Sequence, residues 1–476
     1  MTWIKNYKDM KKGFVLIVFL LAVITSAYGQ KAKYVFYFIG DGMGVNQVQL
    51  AEFYRAAVEN RLGVEPLGFT GFPVATMATH YSASGDVTDS AASGTALATG
   101  NKTKNGRIGL DLEGKKSFTT IAEMAKRCGK KVGVLSTVPV NHATPAAFYG
   151  HQLSREMGYE LAQDMLKADF DFYGGSELMY ESKYPADAGN GSIRDRFRAQ
   201  GYLICNYEGF RRGYADADKV LMLPGEGESV TYAIDTENDA PGNAGKHLTL
   251  TQMVESAITF LMKDNKKGFF LMAEGGKIDG ACHGHDAATA INEVIDFDNA
   301  ISLACDFAEK HPGQTLIVVT ADHETGGLVL NPDNAATLAL LRHQKHYQGT
   351  ISDMLRKRVA AGRMSWEDMK DFLGENFGFW KEFDLPWKYE RILRDSYEHT
   401  ISRADVGSAK DLYDINAEIV AKAVYVLNEM AGVHWCCSHS AGYTPVYAKG
   451  AGQELFTHKT DNAEIPMLIS KAAGYR

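Results

Sequence analysis

Aspartate and histidine recur in this chain at spacings that suit a divalent metal. Asp279 and His283 stand four residues apart, the separation that puts two side chains on one face of a helical turn. Asp322 and His323 are adjacent, which works where a strand ends and the chain is turning. Each pair needs one more ligand to make a three-ligand zinc site with an open position, the pattern of catalytic zinc, and Asp41 and His439 are available. A second group of oxygens only, from Asp41, Thr144 and Glu274, suits magnesium, which prefers such ligands and keeps several waters. In the run 87–96 a lone hydroxyl, Ser90, follows Asp89 and opens a series of small residues at helical spacing. A helix start of that kind presents unpaired N–H groups and a positive dipole end to an anion such as a phosphate or an ionised serine. Asp89 or Ser90 acting as a plain helix cap explains the same pair, so the stretch alone leaves both readings open.

These residues follow candidate strands. Residues 34–39, Tyr-Val-Phe-Tyr-Phe-Ile, are apolar throughout and predict a strand buried on both faces, as in a parallel sheet. The run ends in Gly40-Asp41-Gly42-Met43-Gly44, and the carboxyl ends of such strands are where open α/β sheets bind ligands. Residues 132–137 form a second strand, leading to His142 and Thr144, with Arg155 eleven residues beyond Thr144. Residues 269–272 deliver Glu274, then Asp279, His283 and His285, while 315–320 deliver Asp322, His323 and Glu324. His439 precedes a short strand at 444–447. Helical patterns at 121–130, 248–262 and 286–309 alternate with these strands. The alternation predicts an α/β fold with a doubly wound, mostly parallel sheet, helices on both faces and a helical insertion late in the chain. Residues 170–247, rich in Gly, Tyr and acidic side chains, read as an irregular excursion, and 334–430 as a mostly helical insertion that covers or borders the site. Without repeats, low-complexity tracts or a long flexible linker, residues 30–476 read as one catalytic domain.

The N-terminus carries Lys5, Lys8, Lys11 and Lys12, an apolar run at 14–24, and Ala27-Tyr28-Gly29 before Gln30. That is the pattern of a secretory signal peptide over 1–29, too short for an ordinary transmembrane helix, and it predicts a periplasmic or secreted product. No later apolar run is long enough to span a bilayer. Its removal takes the net charge from −8 to about −11, a poor match for nucleic acid or an anionic membrane. An anionic substrate then requires cations gathered locally. Six cysteines in a chain of 476 residues do not make a disulfide scaffold; Cys282, between candidate ligands, reads as a packed thiol. His247, His311, His343, His346, His399, His434 and His458 read as surface or packing residues, and His285 stays ambiguous beside His283.

Taken together, Gly40 to Gly44, Asp89-Ser90-Ala91-Ala92-Ser93, His142-Ala143-Thr144-Pro145, Glu274-Gly275-Gly276, Asp279 to His283 and Ala321-Asp322-His323-Glu324 closely resemble the alkaline phosphatases. The resemblance covers about 34–155, 248–330 and 438–466. It implies hydrolysis of small phosphate monoesters through a phosphoserine at Ser90, with Arg155, positioned by Asp89, gripping the phosphoryl oxygens. It implies two zinc ions, one on Asp279, His283 and His439 and one on Asp41, Asp322 and His323, and one magnesium on Asp41, Thr144 and Glu274; a homodimer is compatible with it. Two positions depart from the pattern: His142 stands where many members have an aspartate, and Gly280 where members often have a lysine or histidine. The rival readings are a phosphodiesterase or sulfatase relative on the same fold, and a non-catalytic exported protein that sequesters metal or phosphate. No Pro-x-Arg follows Ser90 as a sulfatase would have, Arg155 and the magnesium trio favour a dianionic monoester, and binding alone has no need of a serine at that helix start.

Overall fold

The computed structural model describes residues 31–184, 191–238, 247–401 and 417–476, so the proposed leader at 1–29 and short parts of 170–247 and 334–430 lie outside the described residues. Fourteen strands occur among them: β1 (Tyr34–Gly40), β2 (Val74–Thr79), β3 (Lys131–Ser136), β4 (Phe172–Gly174), β5 (Tyr202–Cys205), β6 (Lys219–Met222), β7 (Phe269–Gly275), β8 (Thr315–Ala321), β9 (Glu324–Thr325), β10 (Val329–Leu330), β11 (Val433–His434), β12 (His439–Ser440), β13 (Thr444–Gly450) and β14 (Thr460–Asp461). Ten of these form one sheet in the order β14-β2-β13-β8-β1-β7-β3-β4-β6-β5. Only β13 runs against its neighbours β8 and β2; the pairings of β1 with β7 and β8, and of β3 with β7 and β4, are parallel. This is the mostly parallel α/β sheet that the alternation predicts.

The apolar run of β1 explains its central place. Val35, Tyr37 and Ile39 enter the core on one face, while Tyr34, Phe36 and Phe38 enter the core on the other. Helices Ser90–Thr99 and Ile121–Arg127 cover the first face, and helices Leu250–Met262 and Ala287–Lys310 cover the second. With both faces covered, the strand has no reason to alternate polar and apolar residues.

Register brings the chemistry to one edge of the sheet. Gly40 lies opposite Gly275 in β7 and Ala321 in β8, and Ser136 lies opposite Glu274. Glu274 lies opposite Ile39, so the chain delivers Asp41 and Asp322 side by side just beyond Glu274, at the carboxyl ends of three neighbouring strands. Residues 170–247 are less irregular than their composition suggests, since β4, β5 and β6 extend the parallel sheet from β3. These strands have only three or four residues each, too few for a periodic signal.

Between residues 335 and 431 the described elements are helical, including Gln348–Ala361, Trp366–Phe377, Trp387–His399 and Glu418–Ala431. They form a third core, which also takes in Leu50, Ala57, Ala287 and Ile291. Among the described residues, no helix is long and apolar enough to cross a membrane.

Candidate metal centre and serine

Asp89 and Ser90 combine the two roles that the sequence leaves open. Asp89 is the N-cap of helix Ser90–Thr99: its Oδ1 accepts from Ala92 N at 2.9 Å, while Ser90 occupies the first helical position. The helix is buried from Ser90 to Ala98, which its small residues allow. At Gly94 it passes so close to the neighbouring segment that an added Cβ would stand 3.2 Å from Thr144 Cα, so this glycine brings the serine helix against the short helix Ala143–Ala146. Ser93 Oγ donates to Asp322 O at 2.5 Å and accepts from Asn462 Nδ2 at 2.9 Å, tying the same helix to the end of β8.

Ser90 Oγ lies 3.2 Å from His323 Nε2, although 233 residues separate them in sequence. That nitrogen is also 3.4 Å from Asp41 Oδ1 and 3.3 Å from Asp322 Oδ2. Three groups of ligand atoms gather here, each within 4.8 Å: Asp279, His323 and His439; Asp41, Asp322 and His323; and Asp41, His142 and Glu274. His283 stands beside the first, its Nε2 3.0 Å from His439 Nε2 and 3.4 Å from Asp279 Oδ2. Thr144 stands beside the second, its Oγ1 3.5 Å from Asp322 Oδ2. His323 is shared between the first two groups, a role that sequence spacing does not show.

The imidazoles are oriented by their other nitrogens. His439 Nδ1 donates to Thr88 O at 2.9 Å, leaving Nε2 to face His283. Thr325 Oγ1 donates to Asp279 Oδ1 at 2.6 Å, so its oxygen receives the proton of His323 Nδ1 at 3.1 Å. Gly42 closes this corner with φ +70°, and a Cβ there would fall 2.9 Å from Asp279 Oδ1. Thr325, Thr88 and Ser93 carry no signature of their own; position directly after Asp322-His323-Glu324 is the signal that marks Thr325.

Four carboxylates, those of Asp41, Glu274, Asp279 and Asp322, share this buried space. Burial first, then the charges of Asp322, Asp279 and Glu274, raise Asp41 well above the usual carboxylate range. Burial likewise raises Glu274 and Asp322. Both oxygens of Asp41 and Oε1 of Glu274 are buried with no hydrogen-bond partner. Unpartnered acceptors of one sign, converging with imidazole nitrogens, fit bound cations and little else. Burial, and then the Arg155 charge, push His142 down to about 3, leaving a neutral ring. Its Nε2 accepts from Arg155 Nη2 at 2.9 Å, and Arg155 Nη1 lies 3.3 Å from Asp89 Oδ2. The guanidinium is thus held between Asp89, which precedes Ser90, and the third group.

The Gly280 position is filled from elsewhere. A Cβ there would fall 2.5 Å from Tyr232 Oη, and the Tyr232 ring stacks on Tyr347 of the late helical segment with centroids 3.9 Å apart. Cys282 is fully buried and burial pushes its thiol well up, as a packed neutral thiol requires; all six cysteines are free.

A serine on a helix start, facing three ligand groups at the ends of parallel strands, defines a metal-binding hydrolase of the α/β class. The alkaline phosphatase family model matches residues 32–475. Alkaline phosphatase 3 of Bacillus subtilis is 30% identical over 461 residues, covering 93% of this chain and 89% of its own. The Escherichia coli alkaline phosphatase is 32% identical over 360 residues, covering 66% and 75%. Among solved structures, a cold-active alkaline phosphatase from Shewanella sp. superposes with a TM-score of 0.76 at 29% identity, covering 92% and 99%. The enzyme of the Antarctic bacterium TAB5, in a histidine-to-aspartate mutant with Mg bound in its M3 site, gives 0.62 at 26% identity, covering 94% and 99%. The chain belongs to the alkaline phosphatase family, enzymes that hydrolyse phosphate monoesters.

Replacing Thr325 by valine keeps the shape but removes the hydroxyl that orients both Asp279 and His323. Thr325→Val is expected to weaken metal retention by about 10- to 100-fold, read by competition with a chelator; unchanged retention would show that neither ligand depends on it.

Proposed function

We propose that this alkaline phosphatase works by two successive displacements at phosphorus, through a phosphoserine at Ser90. The observation that carries the proposal is the 3.2 Å approach of Ser90 Oγ to His323 Nε2 at the start of a buried helix. On this reading Asp279, His283 and His439 hold one zinc ion, and Asp41, Asp322 and His323 hold a second. Asp41, Thr144 and Glu274 hold magnesium, with His142 beside them. When bound, these ions supply positive charge that favours an ionised serine oxygen and offsets charge on the entering and departing oxygens.

The protein's own groups do the rest. Arg155 offers two N–H donors to the non-bridging oxygens of a dianionic phosphoryl group, held in direction by Asp89 and His142. Ser90 Oγ forms a bond to phosphorus as the bond to the alcohol oxygen breaks, and the alcohol leaves with a proton. Water then attacks the phosphoserine, the phosphorus–Oγ bond breaks, and inorganic phosphate departs. Because recognition rests on the phosphoryl group, a broad range of alcohols is accepted. The same reading takes 30–476 as one catalytic domain and 1–29 as an export leader to the periplasm or beyond, and it is compatible with a homodimer.

Ser90→Ala is expected to lose roughly three orders of magnitude or more in kcat while keeping its metals and its affinity for phosphate. Acid quenching of the unaltered enzyme with labelled monoester should leave label on Ser90; an unlabelled serine under those conditions would mean direct attack by water.

Arg155→Ala is expected to lower kcat/KM for a monoester by about 10- to 100-fold, and to lower it less for a diester with fewer free charged oxygens. Equal losses on the two substrates would remove Arg155 from phosphoryl recognition.

A neutral imidazole cannot accept hydrogen bonds from several magnesium-bound waters as a carboxylate can. His142→Asp is therefore expected to retain more magnesium through dialysis and to need less added magnesium for full rate. Identical metal content and identical magnesium and zinc titrations for the two proteins would uncouple His142 from the third ion.

A further inference from the structure

His285 has no role in the scheme above, yet it joins the two segments that carry His283 and His439. It lies between Gly284 and Asp286, where helix Lys277–His283 ends and helix Ala287–Lys310 begins. Its backbone is left-handed, φ +49°, a conformation uncommon for any residue but glycine. The turn holds because its neighbours fix it from outside. Asn428 Nδ2 donates to His285 O at 2.6 Å, and Gln348 Nε2 donates to Gly284 O at 2.8 Å. Both donors belong to the late helical segment.

The ring of His285 reaches the other way. It stacks on Trp435 with centroids 5.5 Å apart and planes within 5° of parallel. Its Nε2 lies 3.2 Å from Cys437 O, and since a carbonyl only accepts, this nitrogen carries the proton. Cys437 is two residues before His439, whose Nε2 is 3.0 Å from His283 Nε2. The same short stretch returns a contact, with Ser438 Oγ 3.2 Å from His283 Nδ1. Its other side is fixed by Gly326 N donating to Ser438 O at 2.5 Å and by the antiparallel pairing of β12 with β9. That leaves the His285 ring as the strut between the His283 turn and the strand that bears His439.

We propose that His285 is a positioning residue that sets the separation of His283 and His439, and so the affinity of the Asp279, His283 and His439 group for its metal. Through Asn428 and Gln348 it makes that affinity depend on the docking of the late helical segment. This rests on the reading of those three residues as metal ligands. Without the strut the two imidazoles can drift by fractions of an ångström, enough to weaken a metal bound through both.

The test uses the metal-loaded enzyme. His285→Asn removes the stack and the reach to Cys437 while asparagine still tolerates the left-handed turn. Trp435→Leu removes the stack alone, and His283→Ala removes a ligand. Zinc loss is followed against a graded chelator series, with thermal unfolding of the metal-free proteins measured alongside. His285→Asn is expected to release one of two zinc ions at 10- to 100-fold lower chelator strength, on the order of a lost orienting contact, with Trp435→Leu showing a smaller shift in the same direction. Metal-free unfolding should stay close to that of the unaltered protein, and excess zinc should restore activity. Should His283→Ala lose one zinc while His285→Asn retains both as firmly as the parent, the strut is wrong and the ligand reading stands. Should His283→Ala also keep both, the ligand reading falls and the strut with it. A drop in zinc retention matched by equal destabilisation of the metal-free protein would make His285 a folding residue and likewise overturn the proposal.

Discussion

Like charges held together out of water are the constraint around which this molecule is built. Asp41, Glu274, Asp279 and Asp322 converge where neighbouring strands end, and burial together with their mutual repulsion raises Asp41 well above the usual carboxylate range. Such a cluster does not come together by itself. It is imposed by a sheet whose central strands are buried on both faces, where the apolar contacts of β1, β7 and β8 outweigh local repulsion at their tips. The fold supplies the energy that keeps the acids close, and the acids in turn create the demand for cations that an anionic substrate needs on an acidic protein.

Around that charge the remaining groups are arranged by division of labour. One oxygen of Asp89 caps the helix that presents Ser90, and the other meets Arg155. His142 receives a hydrogen bond from the same arginine while belonging to the third ligand group. The Ser90 helix, Arg155 and the third group are therefore mechanically linked, and a change at any one of them is felt by the others.

Much of this was legible in the sequence because its elements are long and its motifs local. The apolar runs at 34–39 and 269–272, and the one between Thr315 and Thr320, fit buried strands, and the acids just beyond them fell where parallel sheets place ligands. What escaped was of two kinds. Strands β4, β5 and β6 are too short to carry a period, so their segment read as irregular although it extends the sheet. The groups that hold the site together from outside, the Thr325 hydroxyl, the Thr88 carbonyl and the Ser93 hydroxyl, are common chemistry with no characteristic spacing. Only three-dimensional proximity singles them out, as it does the sharing of His323 between two groups.

The contact between Thr88 and His439 spans 351 residues, and it is carried back to the site by β12 and the reversed strand β13. A ribosome delivers the chain from its N-terminus, so Asp41 and Ser90 are made long before the imidazole that completes their surroundings. Every truncated product ending before His439 lacks that imidazole, whatever else it has folded. Completion of this corner of the site and completion of the sheet thus both wait on the last part of the chain, since β13 joins β2 and β14 to β8.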